Sequence, residues 1–107
     1  MTPNKANIKL WVEALRSGLY DQGFEALRTS TGEYCCLGVA CDISGLGEWR
    51  ENTYLGGGQS LPEAVSHWLG VAGDDVNIGG TWASARNDQL KQSFQDIADL
   101  IERQYLT

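Results

Sequence analysis

Positive charge is scarce in this sequence: eight Lys and Arg stand against fourteen Asp and Glu, for a net charge of -6. Non-specific nucleic-acid binding depends on Lys and Arg displacing condensed counterions, so direct nucleic-acid binding is not expected. A long apolar run is missing too. The longest near-apolar stretch, at residues 34–41, is far too short to span a bilayer. The first residues lead into an amphipathic pattern rather than a leader, so neither a secretory signal nor a membrane anchor is expected. Histidine occurs once, as His67, and the three cysteines lack the paired C-x2-C spacing of a zinc knuckle. No nucleotide-binding, triad or metalloprotease signature is present, and no cofactor is expected. Internal repeats and low-complexity tracts are absent as well.

What remains is an ordinary globular composition. The 107 residues, 42% hydrophobic and 21% charged, suit a single domain, 1–107, with one modest core. Three cysteines cannot all pair, and adjacent Cys35 and Cys36 make an awkward disulfide. Reduced thiols and a cytoplasmic location are therefore expected. The acidic balance suits a basic surface on a partner, or serves only to keep the domain soluble.

The chain is organised around Glu33-Tyr34-Cys35-Cys36-Leu37-Gly38-Val39-Ala40-Cys41-Asp42. A segment apolar almost all round belongs inside, so it is expected to be a short central helix ending near Ser44-Gly45. At ~100° per residue, Cys35, Gly38 and Asp42 share one stripe free of large side chains. That stripe either receives another backbone closely or lines a small pocket. The same rotation turns the three thiols in diverging directions, which argues against a shared metal ion. Cys36 and Cys41 read as small buried hydrophobes.

Other elements follow from spacing. Asn4 is a good N-cap, and Ile8, Trp11, Val12 and Leu15 form a helical stripe closed by Gly18, with Leu19 folding back. A hairpin is expected from 24–28 to 33–35, with residues 46–59 as one long loop. Gly56-Gly57-Gly58 lacks the following Lys-Ser/Thr of a P-loop and reads as a flexible connector. Ser60 and Glu63 form a capping box for a helix buried through Leu61, Ala64, Val65, Trp68 and Leu69 and ended by Gly70. His67 falls on its polar side. A short strand at 75–78 and a helix or turn at 81–91 precede a last helix at 94–105, capped by Ser93 and Asp96. The expected class is α+β: three to four helices around a buried central one, with a small two- or three-stranded antiparallel sheet.

Trp11 and Trp68 lie on core faces, whereas Trp49 and Trp82 sit in loops near Arg50 and Arg86. Loop aromatics beside arginine suit stacking on a base or anchoring a partner, or else they tuck under the loops as satellite core. A ligand site is expected where the 46–59 loop meets residues 81–88. Cys35, Gly38 and Asp42 would form its floor. Arg28 and Arg86 would take phosphate, Trp49 would stack on a base, and Asn87 and Asp88 would read ribose or base edges. Cys35, near a helix N-terminus, is the one thiol that suits reactivity. No metal site is expected.

Three motifs occur in order: Tyr-Cys-Cys-Leu-Gly-Val-x-Cys-Asp at 34–42, Leu-Pro-x-x-Val-x-x-Trp-Leu-Gly at 61–70, and Asn-Asp-x-x-x-x-Ser-Phe-x-x-Ile-Ala-Asp-x-Ile-Glu at 87–102. Together they resemble a widespread set of small bacteriophage and prophage proteins. That resemblance implies a counter-defence role in the host cytoplasm. The first reading is non-enzymatic sequestration of a small nucleotide-like immune signal. The alternatives are a protein–protein inhibitor that meets a host defence protein through its acidic surface, and a thiol-dependent enzyme using Cys35. Self-association is compatible with each.

Overall fold

A computed structural model describes residues 1–107. Helix α1 spans Lys5–Arg16, and its N-cap Asn4 accepts the amide of Asn7 at 3.0 Å. The stripe Ile8, Trp11, Val12 and Leu15 is buried as its spacing predicts. Gly18 takes φ +75, the left-handed conformation that ends the helix, while Leu19 points to solvent, 85% exposed, instead of folding back.

Helix α2, Cys36–Ser44, is the buried centre, and every residue from Cys36 to Cys41 is inside. Gly45 closes it at φ +66. Trp11 on α1 donates its indole N–H to the Cys36 carbonyl at 2.8 Å, tying the two helices inside the core. Gly38 settles which use the small-residue stripe has. A Cβ built there would lie 1.8 Å from the Leu27 carbonyl oxygen, so at Gly38 the stripe receives the Leu27 backbone.

The sheet expected as one unit is two separate two-stranded antiparallel hairpins. Strands β1 (Trp49–Arg50) and β2 (Thr53–Tyr54) lie inside the segment read as a loop. Tyr54 anchors them: it is buried, and its hydroxyl accepts the Gly47 amide at 2.7 Å. The glycine run is fixed by the backbone, since Leu27 donates to the Gly58 carbonyl at 2.8 Å and Tyr54 and Gly57 exchange bonds at 2.9 Å. Residues 24–28 and 33–35 form only isolated bridges at Tyr34, not a ladder.

Helix α3 is Glu63–Leu69, with Pro62 at the N-cap position and no side-chain cap, so Ser60 does not close a capping box. Pro62 cannot donate an N–H, and its own carbonyl takes the Val65 and Ser66 amides at 3.0 Å each. Val65 and Leu69 are buried, Trp68 is half-buried and Ala64 faces water. Strands β3 (Asn77–Ile78) and β4 (Thr81–Trp82) form the second hairpin and lead into α4, Ala83–Asp88. Helix α5, Phe94–Ile101, begins at Ser93, whose hydroxyl accepts the Asp96 amide at 3.1 Å. It continues as a π-helical turn, Glu102–Leu106, in which Tyr105 donates to the Asn77 carbonyl at 2.6 Å. The outcome is an α+β domain of five α-helices, one more than the upper expectation, with α1 packed against both α2 and α5.

Candidate functional site

The expected site residues fall into two separate clusters. The first gathers on β1. Trp49 donates its indole N–H to Asp42 Oδ1 at 2.9 Å, and Tyr20 donates its hydroxyl to Oδ2 at 2.5 Å. Both oxygens of Asp42 are thereby engaged. Burial, reinforced by the Asp42 bond, pushes the Tyr20 hydroxyl well above its ordinary pKa. Tyr34 meets Tyr20 and Trp49 edge-on at centroid distances of 5.0 and 5.8 Å. Arg28 lays its guanidinium 4.7 Å from the Trp49 ring centroid and donates to the Glu51 carbonyl. Trp49 is thus held from three sides by its own chain: it is satellite core, and it locks the β1–β2 hairpin to α2.

The second cluster is centred on Asn87, fully buried at the end of α4. Its Oδ1 accepts Gln22 Nε2 at 2.9 Å and the Cys36 amide at 3.2 Å. Its Nδ2 donates to the Gly23 carbonyl and to Asp88 Oδ1. Asn87 is therefore the internal joint between α4, the start of α2 and the 22–23 turn. Arg86 is occupied as well. Its Nε and Nη2 donate to the Ile78 carbonyl at 2.9 and 2.7 Å, and its Nη1 to Gln92 Oε1 at 3.1 Å.

Cys35 lies between them, 3% exposed, with its sulfur accepting the Gly38 amide at 3.4 Å as the N-cap of α2. The helix N-terminus favours a thiolate, but desolvation wins. Burial pushes the thiol up to about 11, against the lowering effect of the Gly38 and Leu37 amides. Cys41 is pushed up to about 12 and Cys36 well above its usual range, also by burial. Cys36 donates to the Ala83 carbonyl, so the thiols serve separate neighbours. His67 and Glu63 face each other across one helical turn at 3.7 Å, both exposed.

Asp88, one of the expected site residues, is joined by two carboxylates outside the expected set. Glu25, Asp75 and Asp88 come together around an open depression of about 470 Å³, completed by Gln59, Ser60, Ser84 and Gln89. Asp75 accepts the Ser84 amide at 3.2 Å and its hydroxyl, and Asp88 accepts the Glu25 amide at 3.0 Å. No basic or apolar residue lines it. The three carboxylates are far apart in the chain and share no periodicity, so no spacing signal announced them.

Such an arrangement defines an α+β domain with an acid-rich depression open to the surface, in which Trp49, Arg28 and Arg86 are employed in holding the fold. The chain belongs to the family described as Domain of unknown function (DUF8296), whose model matches residues 4–105. No curated protein and no solved structure matches it. No helix is long and apolar enough to cross a membrane.

Proposed function

We propose that this protein acts by binding, without catalysis, and that it occupies a basic surface of another protein. The observation that supports this is its unneutralised charge. Of fourteen Asp and Glu, only Asp99 and Glu102 pair with a Lys or Arg, and both share Arg16. Arg28, Arg86 and Lys91 meanwhile direct their charge onto rings, carbonyls and an amide of the chain itself. A surface of this kind attracts a cationic partner and repels a phosphate. Sequestration of a nucleotide-like signal has less support, because Arg28, Arg86 and Asn87 all have internal partners and Leu27 covers Gly38. The likeness of the three motifs to bacteriophage and prophage proteins gives the binding a setting: blockade of a host defence protein in the infected cytoplasm.

The test is phage plating on defence-bearing bacteria that express the protein. A variant carrying Glu25→Gln, Glu48→Gln, Glu63→Gln and Asp74→Asn removes four exposed negative charges. It is expected to lose most of the rescue while melting within a few degrees of the parent. Full rescue by this variant overturns the reading. Native mass spectrometry of protein from infected cells supplies the second arm, since a retained small molecule would restore the sequestration reading.

A further inference from the structure

We infer that the acid-flanked apolar patch of Phe24 and Leu90 docks a basic segment of a partner protein, one that sets an arginine or lysine beside an apolar side chain. This rests on the proposed binding to a basic surface and names where that binding occurs.

The patch is built by a clamp. Gln22 donates to the Gln92 carbonyl at 2.8 Å, Asn87 to the Gly23 carbonyl at 2.9 Å, and the Glu25 amide to Asp88 at 3.0 Å. Those bonds fix the 22–25 turn against residues 87–92 and leave two large apolar side chains outside. Phe24 is 39% exposed and Leu90 57%. Apolar side chains flanked by charge have the composition of an interface core and its rim. Both segments carry a carboxylate: Glu25, next to Phe24, and Asp88, two residues before Leu90, line the acidic depression that also holds Asp75, and Lys91 is the cation beside the ring.

What the Phe24 ring accepts is visible within the chain itself. The Lys91 ammonium lies 4.0 Å from its centroid, drawn by the negative ring face. An incoming arginine has the same attraction and a better shape, because a planar guanidinium stacks on the ring and forks onto a carboxylate. Lys91 therefore holds the position that the partner's cation takes, and Leu90 meets the apolar neighbour.

The probe is a synthetic amphipathic peptide of leucine and arginine, titrated into isotope-labelled protein and followed by NMR. Its control carries glutamate in place of every arginine. Amide shifts are expected at Phe24, Glu25, Asp88 and Leu90. Because both side chains are exposed, the double change Phe24→Ala and Leu90→Ser should leave melting nearly unaltered and weaken binding about tenfold, the scale of a central interface contact. Lys91→Met should strengthen binding several-fold by removing the competing cation from the ring, whereas Lys9→Met, the same charge change on α1, should have a clearly smaller effect. Shifts centred elsewhere, or undiminished binding by the double variant, overturn the docking site and leave the proposed function standing. Equal binding of the glutamate peptide, or binding of neither, overturns both.

Discussion

Gly38 carries more of the architecture than its size suggests. It sits on a face of α2 that the Leu27 backbone approaches closely, and an added methyl would lie 1.8 Å from the Leu27 carbonyl oxygen. A carbonyl fixed by the chain cannot rotate away as a side chain would. Gly38→Ala is therefore expected to cost about 3 kcal/mol or more, the upper range for overpacking a core. Gly45 provides the internal comparison. Its φ is +66 but nothing lies within 4 Å of a built Cβ, so Gly45→Ala meets only the left-handed penalty of roughly 1–2 kcal/mol. Urea melts of the two variants check the order. If Gly45→Ala proves the more damaging, the close packing of Leu27 on α2 is wrong.

At the scale of elements, the helices were legible because burial and capping leave a local trace. The α1 stripe, the Gly45 and Gly70 endings and the Ser93 cap all follow from neighbours within a turn or so. The β1–β2 hairpin was not legible, since its strands are two residues each and its fixing contacts come from afar. Asp42 receives Trp49 and Tyr20 across seven and twenty-two residues, and neither bond leaves a periodic mark. The candidate site suffered from the same distance. Arg28, Trp49, Arg86 and Asn87 have binding chemistry that the fold engages with its own chain. The acidic depression draws on Glu25, Asp75 and Asp88, brought together only by tertiary packing. Asp42→Ala is expected to cost ~1–3 kcal/mol by leaving two half-buried donors without an acceptor. Asp42→Asn, which keeps one good acceptor, should cost less. Hydrogen exchange at Thr53 and Tyr54 should quicken in Asp42→Ala, and an unchanged rate would show that the hairpin does not depend on this anchor.

For the whole molecule, the titration of its core makes a sharper statement than its net charge. All three thiols are in the buried cluster, and burial raises each one: Cys35 from the usual 9.0 to about 11, Cys41 to about 12, and Cys36 well above its usual range. Tyr20 shifts the same way, through burial and then Asp42. A pKa raised in the folded state means that the unfolded chain ionises first. The stabilisation is then complete below pH 9 and is lost as pH climbs toward the folded values. For Cys35 alone, two pH units correspond to about 3 kcal/mol, a large part of a small domain's stability. Denaturant midpoints under reducing conditions should thus hold level, as far as these groups are concerned, from pH 7 to 9 and drop steeply from 9 to 11. Cys35→Ala should flatten that drop, at the expense of a cap and a small cavity at every pH. In the same window, a thiol reagent should label the folded protein only as fast as the core opens. Rapid labelling of Cys35 at neutral pH, or stability that stays constant through pH 11, would mean that the thiol is more accessible than its 3% exposure implies. Either result would return the thiol-dependent reading to consideration.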